Sequence, residues 1–135
     1  MEKLEPSNTS PGYLCGRLLA ELEAAQKVAI SPKATLVDRY YGAASSAPAT
    51  VFGYLMRDFQ VAHMSKLRKN KPGIYYAIDS RVQDILESLG DFPKTLNVRE
   101  QAMFSLGYYH QKAADRAEAK EKAELKELAV EEAEE

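Results

Sequence analysis

Residues 38–71 read DRYYGAASSAPATVFGYLMRDFQVAHMSKLRKNK, and a fold can be built outward from them. Pro48 is a helix start, because proline has no amide hydrogen to lose at the first helical position and its fixed φ suits a helix. Apolar residues then recur at the spacing of one helix face: Val51, Phe52, Leu55, Phe59, Ala62 and Leu67. The stretch therefore predicts a long central helix that ends in a cluster of Lys and Arg, with the other helices packed on it.

A helix is predicted upstream of this stretch by its start and stop signals. Ser10 is an N-cap residue, and Pro11 occupies the first helical position. Ser31 ends the helix, because the residue before a proline is pushed out of the helical region. Its apolar residues repeat at helical spacing: Leu14, Leu18, Leu22, Ala25 and Ala29.

Further boundaries come from caps. Thr35 and Asp38 form a capping box, with Asp in place of Glu, that opens a short helix. A turn at residues 69–73, rich in basic residues, precedes the next helix, which Gly90 ends. Asn97 with Glu100 caps the last helix. The first of these two later helices has an apolar stripe of Ile74, Ile78, Val82, Ile85 and Leu89. The second has Ala102, Leu106, Tyr109 and Ala113 on one side.

The predicted fold class is all-α, a compact bundle of about five helices with a charged C-terminal helical tail. We divide the chain into a flexible lead-in (1–9), a helical bundle domain (10–113) and a charged helical or disordered tail (114–135). The tail is almost wholly Ala, Glu, Lys and Leu, strong helix formers without a wide apolar face. The core is expected to centre on Leu18, Leu22, Phe52, Leu55, Phe59, Ile78, Val82, Ile85 and Leu106.

Composition limits the classes of function. The chain has 135 residues, one cysteine and two histidines, so an intramolecular disulfide is excluded and a metal site is not expected. Cys15 is expected to be a buried thiol. No apolar run approaches the roughly 20 residues of a membrane span, and the first residues lack a signal core. We therefore expect a cytoplasmic protein with no cofactor and no small-molecule substrate.

The net charge of −2 hides an uneven distribution. Residues 1–111 carry 13 Lys or Arg against 11 Asp or Glu, a net charge of +2, whereas residues 112–135 carry 5 against 9, a net charge of −4. Residues 57–81 alone carry 6 against 2, a net charge of +4. A local patch sets the field that a ligand meets, so the chain can bind an anionic partner despite its acidic total.

The candidate functional residues are the cations of the central helix and its end. The cluster consists of Lys66, Arg68, Lys69 and Lys71, with Arg39 and Arg57 as outlying members. Phosphate binding is one interpretation, and a solvated helix end that offsets the helix dipole is the other; the residues alone leave both open. No phosphate loop, serine elbow or separate carboxylate pair indicates an enzyme. His63 and His110 are expected to be structural residues rather than catalytic ones, and the tyrosines to be core aromatics rather than base-stacking platforms.

Three ordered motifs carry a family resemblance. They are Gly12-Tyr13-Leu14-Cys15-Gly16-Arg17-Leu18; then Asp38-Arg39-Tyr40-Tyr41 with Pro48 and Val51-Phe52; then Phe104-Ser105-Leu106-Gly107-Tyr108-Tyr109-His110-Gln111. Together, over residues 12–112, they resemble the C-terminal helical domain of the large subunit of type I-C CRISPR Cascade. In that system the same region is also made separately, by translation starting inside the large-subunit gene, and serves as the small subunit.

The resemblance implies a non-catalytic helical subunit that lies along the belly of a crRNA-guided surveillance complex. Its implied partners are the backbone and large subunits and the R-loop of crRNA and target DNA, chiefly the displaced single strand. More than one copy per complex is implied. The alternative is a helical adaptor that binds protein partners and has no nucleic-acid role.

Overall fold

The computed structural model describes residues 3–134, and within them it contains six α-helices, one π-helical segment and no strand. The elements are α1 (Pro11–Ile30), α2 (Leu36–Ser46), α3 (Pro48–Tyr54), the π segment (Leu55–Gln60), α4 (Val61–Asn70), α5 (Pro72–Leu89) and α6 (Val98–Glu134). Because α3, the π segment and α4 follow one another without a break, they form a single helical rod. The bundle therefore has five helical rods, and the all-α prediction is confirmed.

The predicted helix ends are largely confirmed. Thr35 and Asp38 form both hydrogen bonds of the capping box at the start of α2. Ser31 ends α1 in the left-handed region with φ of 45°, and Gly90 follows α5 with φ of 73°. The predicted turn at residues 69–73 is shorter in the structure, because α5 already begins at Pro72. Lys71 is the one residue between α4 and α5.

The centre of the bundle is α1, and the prediction that the other helices pack on the α3–α4 rod is wrong. α1 contacts α2, α4, α5 and α6 and has its most extensive contact with α6. Only Pro11, Lys27 and Ile30 of its 20 residues are exposed. α1 is therefore buried on nearly all sides and lies in the middle of the bundle.

Three glycines let α1 and α6 approach closely. A Cβ atom on Gly16 would lie 2.0 Å from the carbonyl oxygen of Phe104, and one on Gly12 would lie 2.0 Å from that of Glu100. From the other side, a Cβ atom on Gly107 would lie 2.1 Å from the carbonyl oxygen of Tyr13. The two backbones therefore touch along this seam, which explains the glycines in the first and third sequence motifs.

The buried face of α6 differs from the predicted one. Leu106 is 40% exposed, and Ala102 and Tyr109 are exposed as well. The buried residues of α6 are Phe104, Gly107, Tyr108, His110 and Gln111. Gly107 has to face α1 to permit the close approach, so its face is buried and the face of Leu106 is turned to solvent.

The π segment changes the buried face of the α3–α4 rod. Phe59 is only half-buried and Ala62 is exposed, whereas Gln60 and His63 are buried. Buried positions Leu55 and Gln60 are five residues apart, which is the hydrogen-bond spacing of a π-helix. The remaining predicted core residues are all buried: Leu18, Leu22, Phe52, Leu55, Ile78, Val82 and Ile85.

Glu100 joins the first turns of α1 and α6. Asn97 accepts a hydrogen bond from the Glu100 amide at 2.9 Å, as expected for an N-cap. The Glu100 carboxylate instead accepts from the Gly12 amide at 2.8 Å and from the Ser10 hydroxyl at 2.5 Å. Ser10 therefore caps no amide with its own side chain, and a carboxylate from α6 replaces it near the positive end of α1.

The ends of the chain contact the bundle unevenly. The Glu5 amide donates to the Tyr13 hydroxyl at 2.9 Å. At the other end, α6 continues to Glu134, and residues 116–134 are all exposed. The boundaries at residues 9 and 113 stay predictions. Within residues 3–134, no helix combines the length and apolar character needed to cross a membrane.

Candidate nucleic-acid interface

The end of α4 and the single residue that follows it bring four of the predicted cations together. We call Lys66, Arg68, Lys69 and Lys71 the basic turn; all four are exposed. The Lys71 amide donates to the Leu67 carbonyl at 2.7 Å, which fixes the backbone of the turn. In the described part of the chain, none of the four cationic groups lies within 4.0 Å of a carboxylate. An anion can therefore approach them without displacing an ion pair.

The structure places Arg57 and Arg39 apart from the basic turn. Arg57 pairs with its neighbour Asp58 at 3.3 Å, and this hydrogen bond and charge raise the pKa of the Arg57 guanidinium. Arg39 lies 5.5 Å from the ring centroid of Tyr40. Tyr40 in turn contacts Tyr54, with ring centroids 5.9 Å apart. Arg39 therefore belongs to an aromatic surface on α2 and α3, and Arg57 to an ion pair within the π segment.

Both tyrosines beside the basic turn were expected to be core residues, but only Tyr75 packs against the core, whereas Tyr76 lies at the surface. Tyr76 is 61% exposed, and Tyr75 is half-buried. The signal that would have found Tyr76 is its position relative to Ile78, which is two residues later and buried. Two residues correspond to about 200° around an α-helix, so a side chain at 76 faces away from the core.

The histidines have different surroundings. His110 is buried, and its Nδ1 atom lies 2.9 Å from the Tyr13 hydroxyl, which agrees with a structural role. His63 is also buried, but its Nδ1 atom has no hydrogen-bond partner in residues 3–134, and neither does Oε1 of Gln60. Burial lowers the pKa of His63, and the charge of Lys66 lowers it further. His63 is therefore neutral near pH 7.

Cys15 and Glu21 are buried groups of α1 with raised pKa values. Burial raises the pKa of the Cys15 thiol to about 12, which leaves it unreactive near pH 7. Glu21 contacts Arg81 of α5, which also pairs with Asp115 of α6 at 3.3 Å. Burial and the neighbouring Asp115 raise the pKa of Glu21 to about 9, although Arg81 opposes the rise. Neither group faces the basic turn.

Glu23 is the second buried carboxylic acid, and it joins α1 to two other helices. Burial alone would raise the pKa of its carboxyl, but hydrogen bonds from Thr35, Tyr108 and Lys112 outweigh burial and lower it. The Thr35 and Tyr108 hydroxyls each donate to Glu23 at 2.6 Å. Both buried carboxylic acids, Glu21 and Glu23, are thus accounted for by contacts within the bundle. Within residues 3–134, no group of three His, Cys, Asp or Glu side chains is placed to hold a metal ion.

These observations define an all-helical bundle protein that carries a cluster of four exposed cations at one helix end, none of them paired with a carboxylate in the described residues. The sequence profile of a family described as CRISPR-associated protein (Cas_Csd1) matches residues 1–115. The match covers most of the chain, and the chain therefore belongs to this CRISPR-associated family. It includes α1 to α5 and the basic turn, and it ends within α6 before the exposed part of that helix. No curated protein matches the chain.

Proposed function

We propose that this chain is a non-catalytic subunit of a type I-C Cascade complex, equivalent to the small subunit. In this role it holds the displaced DNA strand of the R-loop through sequence-independent phosphate contacts. Membership of a CRISPR-associated family supports a place in a guided effector complex. The observation that carries the proposal is the basic turn, whose four exposed cations have no carboxylate partner in the described residues.

The helix dipole accounts for only part of the basic turn. Cations in the last turn of a helix offset the partial negative charge of its carbonyl groups. Arg68 and Lys69 lie in the last turn of α4, whereas Lys66 precedes it and Lys71 follows the helix. A ligand with several negative charges is the simpler account of all four.

Phosphate contacts suit the task of the proposed subunit. The guide RNA reads the target by base pairing in such complexes, so a protein that holds the displaced strand needs no base-specific hydrogen bonds. Each lysine that neutralises a phosphate releases condensed counterions, and this release supplies affinity for any sequence. Four cations with no neighbouring carboxylate are sufficient for a modest contribution of this kind.

The test replaces Lys66, Lys69 and Lys71 with alanine. Displaced-strand retention by assembled complexes is measured with wild-type and triple-variant subunit between about 50 and 200 mM salt. Three lost contacts should flatten the slope of log affinity against log salt by about 2, with the greatest loss of affinity at low salt. The loss should be alike for different target sequences, and guide-RNA loading should be unchanged.

A second triple variant, Lys33, Lys94 and Lys120 to alanine, is the matched control. It removes the same charge from exposed positions on other surfaces, so any effect of net charge alone appears in both variants. Equal salt dependence of the two variants would show that the basic turn makes no phosphate contacts. A protein adaptor without a nucleic-acid role would then be the better account of the fold.

A further inference from the structure

An aromatic pair continues the basic turn onto the first two turns of α5. The ring centroids of Tyr75 and Tyr76 lie 5.1 Å apart at an interplanar angle of 73°. The guanidinium carbon of Arg68 lies 5.9 Å from the ring centroid of Tyr75. Arg68, Tyr75 and Tyr76 therefore form one continuous surface, which we call the aromatic platform.

The fold accounts for Tyr75 but not for Tyr76. Tyr75 is half-buried and packs against the core, whereas Tyr76 points away from the core residues Ile78, Val82 and Ile85. Within residues 3–134, neither tyrosine makes a side-chain hydrogen bond. An exposed tyrosine ring without a hydrogen bond contributes little to core packing and joins no helices through its hydroxyl group.

The surroundings of the platform favour an anionic ligand with flat apolar parts. Lys71 is four residues before Tyr75, whose amide donates to the Lys71 carbonyl at 3.0 Å. Asp79, three residues after Tyr76, places a carboxylate on the same face of α5, so phosphates are expected on the Lys71 side of the ring. Single-stranded nucleic acid presents negative phosphates and accessible base faces side by side, and so matches both parts of this surface.

We propose that Tyr76, supported by Tyr75 and Arg68, is a base-stacking platform for single-stranded nucleic acid whose phosphates lie on the basic turn. The inference rests on the proposed function and extends it from phosphates to bases. Phosphate contacts alone hold single and double strands alike, whereas stacking requires a base that is not already stacked in a duplex. The platform therefore supplies selectivity for the displaced strand over intact duplex.

The test measures binding of the full chain, at low salt, to a fluorescent thymidine oligonucleotide and to an abasic oligonucleotide with the same number of phosphates. Tyr76→Ala should weaken binding of the thymidine strand about 5- to 100-fold. It should leave the abasic strand and the salt slope unchanged, because no phosphate contact is lost. Tyr76→Phe keeps the ring and should bind like wild type. Tyr109→Ala, which removes another exposed tyrosine on α6, is the matched control.

The outcomes separate this inference from the function on which it rests. If the lysine variant flattens the salt slope while Tyr76→Ala binds both strands like wild type, the phosphate role stands and the stacking platform is wrong. If Tyr76→Ala weakens entry of the chain into its complex but not strand binding, the platform is a protein-docking surface and the inference is wrong. Absence of binding to either strand by the wild-type chain would overturn both.

Discussion

Replacing Gly16 with alanine tests whether α1 and α6 touch along their backbones. The new Cβ atom would lie 2.0 Å from the Phe104 carbonyl oxygen, where ordinary contact begins near 3.4 Å. The difference of 1.4 Å has to come from separation of the two helices, because the obstructing atom belongs to the backbone. Overpacking of this kind costs up to about 3 kcal/mol, and the better helix propensity of alanine returns about 1 kcal/mol. We expect a net loss of up to about 2 kcal/mol.

The assay is thermal and urea unfolding followed by helical circular dichroism. A loss of about 2 kcal/mol corresponds to a fall in melting temperature of roughly 8 °C for a chain of this size. Gly53→Ala is the control, because Gly53 is helical and exposed and a Cβ atom there meets nothing within 4 Å. That variant should gain up to about 1 kcal/mol. If Gly16→Ala were as stable as Gly53→Ala, the close approach of α1 and α6 would be refuted.

Three further changes test other parts of the structure. Phe59→Ala should lower the free energy of unfolding in urea by about 1 to 2 kcal/mol, because Phe59 is half-buried and a fully buried ring would cost roughly 3 to 5 kcal/mol. A loss above about 3 kcal/mol would contradict its placement. Glu21→Gln should stabilise the protein increasingly as pH rises from about 5 to 8. The folded chain holds the Glu21 proton up to about pH 9, whereas the unfolded chain releases it near 4.5; a stability difference that is independent of pH would contradict this. Deletion from Lys120 onward should leave the melting temperature nearly unchanged, since that part of α6 is exposed, and a fall of many degrees would show that it packs.

Local chemistry made the helix ends predictable. The capping box of Thr35 and Asp38 acts within four residues, and Gly90 adopts a backbone conformation that side chains disfavour. Such signals need no knowledge of the rest of the fold. Which face of each helix is buried was less predictable, because this depends on contacts with residues far away in sequence. Leu106 is exposed since Gly107 has to meet the backbone of Tyr13, 94 residues earlier.

In the candidate site, too, some residues could be predicted from the sequence and others could not. The basic turn could be found from sequence, because lysines without nearby acids are visible as a charge pattern and remain at the surface. Tyr76 was missed because tyrosine is as common in cores as on surfaces, so its residue type alone gave the wrong answer. Arg57 was grouped with the lysines by proximity in sequence, yet the structure pairs it with Asp58. Because Asp58 is the next residue in the chain, this pairing could have been anticipated from the sequence.

The π segment determines the direction in which the basic turn faces as well as the packing beneath it. A π turn uses one residue more than an α turn, so every side chain after Gln60 is rotated by about 100° relative to an uninterrupted α-helix. A chain shortened by one residue between Leu55 and Gln60 would keep the four cations of the basic turn but would direct them toward another side of the bundle. Insertions and deletions in these six residues, more than substitutions of the lysines, are the changes that would make the basic turn face a different neighbour.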